Sequence, residues 1–236
     1  MSRQILVRKS NSLFDQELCR RIFDQTWSKD SGTEITPNLL QAMVHSGAYL
    51  SGAFVGSECI GAAFAFPATT GGLHLHSHMT AVMSEYRDKG IGYLLKIDQW
   101  NWAKKNHYKE ITWTFDPLVK RNAKLNLLKL GADISAYYPN FYGDMPDALN
   151  AGDESDRLLA SWKVKGSAPI PREEIITREP NDILIEIPED IVAIRERDLV
   201  ENLRWRHTVR DQFTSALVKG GHVVGFSTNS EYVVRI

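Results

Sequence analysis

A mixed α/β or α+β fold, rather than an all-helical bundle, is predicted by two features of the sequence. Short apolar runs cut by glycine and proline alternate with segments of helical period. Hydrophobic residues make up 43% against 24% charged, with 16 glycines and 9 prolines, a balance that excludes a disordered, collagenous or low-complexity chain. At 236 residues the chain is long enough to bury a full core. Twenty-eight basic residues face 29 acidic ones, for a net charge of −1, so no general attraction to nucleic acid or an anionic membrane is expected. Cys19 and Cys59 are the only cysteines, too few for a disulfide framework, and they fit a reducing compartment. No apolar run reaches the ~18 residues of a membrane span, and the polar start Met1-Ser2-Arg3-Gln4 is unlike a signal peptide. The expected location is the cytoplasm.

In order along the chain, Ile5-Leu6-Val7 reads as a first strand. Phe14, Leu18 and Ile22 recur every four residues behind the capping candidates Asn11 and Ser12, predicting an amphipathic helix over residues 13–27. Thr36-Pro37 opens a second helix, with Leu39, Leu40, Met43 and Val44 as its apolar stripe and Gly47 as its stop. Two strands, 49–55 and 59–66, are joined by Gly56-Ser57-Glu58, a hairpin signal. A third strand, 73–82, carries His74, His76 and His78 at spacing two, which places them on one face.

From Gly90 to Asn106 the period becomes helical, with Ile91, Leu94, Leu95 and Trp102 inward and Lys104 and Lys105 at the end where the helix dipole favours cations. Ile111, Trp113 and Phe115 alternate as a strand stopped by Asp116-Pro117, and residues 123–130 predict a helix closed by Gly131. Strands follow near 134–138 and 157–164. After Lys165 the texture changes: Pro169, Pro171 and Pro180 suggest a linker, followed by a strand at 183–187, a long charged helix with a break, and two closing strands. We divide the chain at 165, with 1–165 as the main domain and 166–236 as an α/β extension packed on it, because about 70 residues make a small independent core.

The chemistry-bearing segment is Arg87-Asp88-Lys89-Gly90-Ile91-Gly92, placed after a predicted strand and before a predicted helix. The first-turn amides of a helix have no internal partner, and glycine admits a ligand close to the main chain. Together with the positive end of the helix dipole they suit a pyrophosphate. From the residues alone, a tight turn with no ligand stays equally open. A dinucleotide-binding turn is excluded, because Leu95 stands where a third glycine is required.

Residues 81–92, Ala81-Val82-Met83-Ser84-Glu85-Tyr86-Arg87-Asp88-Lys89-Gly90-Ile91-Gly92, resemble the acyl-CoA-binding motif of the GNAT N-acyltransferase superfamily, and the order of predicted elements over residues 3–165 agrees with that family. The resemblance implies a mixed, mostly antiparallel sheet whose motif strand and following strand splay apart at the acyl-CoA site. It implies that the amides of Lys89, Gly90, Ile91 and Gly92 hold the pyrophosphate, flanked by Arg87 and Asp88. Ala81 and Val82 would pair with the pantetheine arm, and Asn122 would lie near it. The acyl thioester would sit between Met79–Val82 and Trp113–Phe115. Leu127 stands where many members carry the tyrosine that protonates the leaving thiolate.

The implied reaction moves an acetyl or other short acyl group from acyl-CoA to an amine, without a metal. An amine of pKa near ~10 must lose a proton before attack. His76 is the first candidate base and His78 the second; a solvated histidine face without function is the competing reading. The three histidines span roughly 13 Å, too far for one ion to hold all of them. Tyr142, in the aromatic cluster of Tyr137, Tyr138 and Phe141, is a candidate acid, although most such aromatics are packed. Asp144, Asp147, Asp153, Glu154 and Asp156 form an acidic run read as a solvated loop. The expected partner is a small-molecule or peptide amine, with neither nucleic acid nor membrane, and a homodimer is left open. The rival is a non-catalytic acyl-CoA-binding or sensing module that uses its C-terminal segment for dimerisation or partner contacts.

Overall fold

The computed structural model describes residues 4–27, 33–143, 153–168, 178–227 and 229–236. The proline-rich stretch at Pro169 and Pro171 lies outside them, as do Asp144 and Asp147. Packing groups the chain into two compact units, one of Met1–Trp113 with Lys163–Ala168 and one of Thr114–Trp162 with Pro169–Ile236.

In the first unit, β1 (Ile5–Lys9), β2 (Tyr49–Val55), β3 (Glu58–Ala68) and β4 (His74–Val82) pair antiparallel in that order. The sheet continues with β5 (Glu110–Phe115), which runs parallel to β4. Helix α1 (Leu13–Thr26) is capped by Ser12, whose hydroxyl accepts from the Asp15 amide, and α2 (Pro37–His45) is capped in the same way by Thr36. Both helices pack their apolar stripes over a core of Cys19, Ile22, Phe23, Leu40, Phe64 and Met79. The opposite face is covered by α3 (Ile91–Lys105), whose Ile91, Leu95, Trp100 and Ala103 are buried. Gly61 makes that packing close: a Cβ there would stand 3.0 Å from the Ala81 carbonyl oxygen and 3.3 Å from both Ile91 and Leu95. Leu94, expected inward, is 40% exposed. The inward stripe passes instead through Leu95, Lys96 and Gln99.

In the second unit, α4 (Lys120–Ala123) begins earlier than the expected 123–130 helix and widens into a π-helical turn over Lys124–Lys129, closed by the Leu130 amide on the Leu125 carbonyl. Strands β6 (Asp133–Tyr138) and β7 (Arg157–Lys163) pair antiparallel. Strands β8 (Ile183–Glu186), β10 (Glu231–Arg235) and β9 (His222–Phe226) form a three-stranded antiparallel sheet in that order. The long helix is indeed broken. Asp198, in extended conformation, ends α5 (Ile191–Arg197) and caps α6 (Leu199–Val218). Among the described residues, no helix is long and apolar enough to cross a membrane.

Arg206 of α6 is 1% exposed. It meets Asp116 at 2.7 and 2.9 Å and Asp153 at 2.6 and 3.2 Å. Arg195 reaches the same two carboxylates at 3.1 and 2.7 Å. Arg210 binds Asp156 at 2.5 and 2.9 Å and also pairs with Glu154. The acidic run is therefore no solvated loop where it is described. Its carboxylates face arginines of the C-terminal helices, a long-range pairing that local sequence does not encode.

Candidate functional site

The predicted loop lies in the first unit, between the end of β4 and α3. After β4 the chain makes one 3-10 turn over Ser84–Tyr86. It then passes through two left-handed residues, Asp88 (φ 61°) and Gly90 (φ 78°). Left-handed geometry costs an L side chain roughly 1–2 kcal/mol and glycine nothing, which explains a glycine at the start of the helix. Leu94 is the residue whose amide closes a helical bond onto the Gly90 carbonyl, at 3.0 Å. The amides of Ile91 and Gly92, one and two residues into the helix, therefore have no intrahelical acceptor and point out of its positive end. Arg87, Asp88, Lys89 and Gly90 are all exposed. The Lys89 ammonium donates to the Glu85 carbonyl at 2.7 Å and lies over the Tyr86 ring, closing the loop on itself. Towards α1 the loop borders a cleft of about 250 Å³ lined by Gln25, Thr26, Val82, Ser84 and Arg87 among others.

Strands β4 and β5 pair at Leu75 with Ile111 and at His76 with Thr112. Among the described residues, no further pair with β5 follows from Ser77 onward, while the other edge of β4 stays bonded to β3 through Ala81 with Ala62 and Val82 with Gly61. An extended ligand can add to an open strand edge as a strand would. The pairing with β3 slips by one residue between Phe64–Met79 and Ala65–Ser77, a bulge at His78. The bulge changes which face each side chain meets. Ser77 turns to α3, where Lys96 reaches it, whereas Met79 and Ala81 join the core beneath α1.

His76 and His78 lie together, with ring centroids 6.1 Å apart and both against Phe66. Phe66 packs on the α1 core, so the pair occupies that side of the sheet. His76 is half-buried and its Nδ1 is 3.3 Å from the Thr112 hydroxyl. Burial, with the charges of His78, His74 and Lys96, pushes its pKa down to about 4. Desolvation also lowers His78, against the opposing influence of the Glu34 carboxylate. Glu34 is a residue that sequence reading missed, because it lies outside the predicted helices and strands and no periodicity marks it. His74 bonds the Gly72 carbonyl through Nδ1 at 2.8 Å. Among the described residues, no group of three or more His, Cys, Asp or Glu side chains is placed to hold a metal.

Two candidates belong to the second unit. The Tyr142 hydroxyl is 3.0 Å from that of Thr114, and Arg157 lies 5.3 Å over its ring. Asn122, half-buried in α4, donates its amide to the Val119 carbonyl at 2.9 Å.

The strangest side chain of the first unit was not a candidate at all. Lys96 of α3 is 3% exposed. Its Nζ donates to the Ser77 hydroxyl at 2.8 Å and to the Gln99 amide oxygen at 3.4 Å, and it sits 3.7 Å over the Trp113 ring. Burial pushes its pKa down to about 7. Its place on the apolar stripe, more than two turns from the charged end of α3, was the available signal.

No protein-family model and no curated protein matches the sequence. Solved structures do match. An acetyltransferase of the GNAT family from Streptococcus pneumoniae is 14% identical, covering 69% of this chain and all of its own, with a TM-score of 0.54. The Escherichia coli ribosomal-protein-S18-alanine N-acetyltransferase is 10% identical, covering 74% and 100%, with a TM-score of 0.53. An aminoglycoside 6'-N-acetyltransferase complexed with coenzyme A is 14% identical, covering 70% and 99%, also at 0.53. The chain has the GNAT fold, α+β with a mostly antiparallel sheet.

Proposed function

We propose that this protein transfers an acetyl or other short acyl group from acyl-CoA to an amine, with residues 1–165 carrying the reaction and 166–236 appended as an α/β extension. One juxtaposition supports the reading best: the open amides of Ile91 and Gly92 follow, after one short turn, a strand that among the described residues makes no pair with β5 from Ser77 to Val82. A diphosphate held at Lys89–Gly92, flanked by Arg87 and Asp88, would lead its pantetheine arm along Ala81 and Val82 to the parting of β4 and β5. The neighbour that carries coenzyme A in its crystal adds support.

On the α1 side, a neutral histidine would take the proton of the incoming ammonium. At a pKa of about 4, His76 is neutral at pH 7 but a weak base. His78, exposed and beside Glu34, is the stronger candidate, with His76 orienting it. The attacking amine and the thioester are brought together by positioning, which can supply most of the barrier reduction. No covalent intermediate on the protein is invoked.

Calorimetry with coenzyme A and release of free thiol from acetyl-CoA across a panel of primary amines test this. Saturable binding with turnover above the uncatalysed rate is expected, and His78→Ala should lower kcat about a hundredfold with coenzyme A affinity unchanged. Binding without any turnover would favour a sensing or carrier module instead, and absence of binding would end both readings.

A further inference from the structure

Lys96 has no carboxylate partner among the described residues, although an ammonium buried this deeply is expensive to keep. Three contacts hold it: the Ser77 hydroxyl, the Gln99 amide oxygen and the face of Trp113. Beside it, Gln99 Nε2 is buried and makes no hydrogen bond. The place matters more than the cost. Ser77 is the first β4 residue beyond the last pair with β5, and Trp113 follows the last paired residue of β5. The lysine therefore lies under the vertex where the two strands part, on the α3 side. The histidines occupy the other side of the same sheet.

A hydrogen bond from Lys96 fills an acceptor site of the Ser77 oxygen and leaves the hydroxyl hydrogen of Ser77 available to a second acceptor. We infer that Lys96 and Ser77 form a proton relay that protonates the thiolate leaving the acyl thioester, with Lys96 acting through Ser77. This rests on the reading that the parting of β4 and β5 receives acyl-CoA. The amine nitrogen bonds to the carbonyl carbon, the carbon–sulfur bond breaks, and its electron pair goes to sulfur. Sulfur takes the hydroxyl proton of Ser77, Ser77 regains one from the Lys96 ammonium, and the neutral lysine is reprotonated from solvent when product leaves. The two protons shed by the incoming ammonium, one before attack and one as the amide forms, leave through the histidine side to solvent, and one is recovered from solvent by Lys96, so each turnover yields amide, free thiol and one net proton. A lysine that titrates at about 7 loses and regains a proton readily at neutral pH, whereas one of ordinary pKa holds it too tightly.

The test measures thiol release from acetyl-CoA with benzylamine between pH 6 and 9.5, alongside coenzyme A calorimetry, for the wild type, Lys96→Met and Ser77→Ala. Lys96→Met replaces a buried charge by an apolar chain of similar length, a change that cores often accept; Ser77→Ala interrupts the relay with the lysine in place. Both variants should bind coenzyme A within twofold of the wild type and lose roughly a hundredfold in kcat. The alkaline fall in wild-type kcat, centred near 7, should vanish in Lys96→Met, an effect that a purely structural lysine would not produce. Unchanged kcat in either folded variant, or an alkaline limb that survives in Lys96→Met, overturns the relay while leaving acyl transfer intact. Absence of thiol release by the wild type removes the acyl-transfer reading itself, and the relay with it.

Discussion

Single residues in this protein are tuned by what surrounds them more than by what they are. Lys96 shows it most sharply: the same side chain that titrates near 10.5 in water is pushed to about 7 by burial. Its effect on stability has a definite sign. The unfolded chain holds that proton up to about pH 10.5, while the folded chain releases it near 7, so between those values the unfolded state binds more protons and folding strengthens as pH rises. Lys96→Met removes this term. Denaturant melts at pH 7 and pH 10 should therefore show the wild type gaining on the variant as pH increases; a constant difference would mean that the lysine is hydrated. His76 behaves in the same direction at lower pH. Its proton is lost near 4 in the fold and near 6.5 outside it, so acidification through that window weakens the native state.

At the scale of elements, local chemistry accounts for most boundaries. Serine and threonine caps open α1 and α2, and a left-handed glycine starts α3. Asp198 does two jobs at the break in the long helix, since its amide donates to the Ile194 carbonyl at 2.8 Å, ending α5, and its carboxylate accepts from the Glu201 amide at 2.9 Å. Asp198→Ala should cost about 1 kcal/mol, read as a lower urea midpoint at unchanged slope. What local chemistry misses is irregularity. The bulge at His78 hides inside a strand that alternates correctly in sequence, and it alone turns Ser77 toward α3 while Met79 and Ala81 face α1. Likewise the π-helical turn at Lys124–Lys129 differs from an α-helix only in which carbonyl each amide selects. Neither leaves a periodic trace, because one extra residue changes the phase without changing composition.

For the whole molecule, buried charge makes the C-terminal segment part of the second unit's core. The Asp116 carboxyl would be raised by burial alone, but the charge and hydrogen bonds of Arg206, with Arg157 and Arg195, hold it well below the usual carboxylate range. Its contribution to stability is therefore present above its ordinary value of 3.8 and is lost as pH falls below it. Arg206→Met leaves Asp116 and Asp153 with less than half of their hydrogen bonds from this cluster and should destabilise by about 3–5 kcal/mol, seen by chemical denaturation. Deleting residues 178–236 removes Arg195, Arg206 and Arg210 together, so the remaining chain should be recovered only as aggregate. A soluble, cooperatively melting fragment would show that the arginines are dispensable.

The sequence by itself determined the fold class, the order of the elements in the first 165 residues, and the glycine turn with open amides, because each rests on chemistry within a few neighbouring residues: periodicity, caps and a left-handed position. Tertiary structure decided what those elements bring together. Only packing put Lys96 under the parted strands, set Glu34 beside His78, and buried part of an apparently solvated acidic run against α5 and α6. The physical reason is that burial, which sets protonation and charge pairing, is a property of contacts between distant segments, and spacing along one segment carries no record of them.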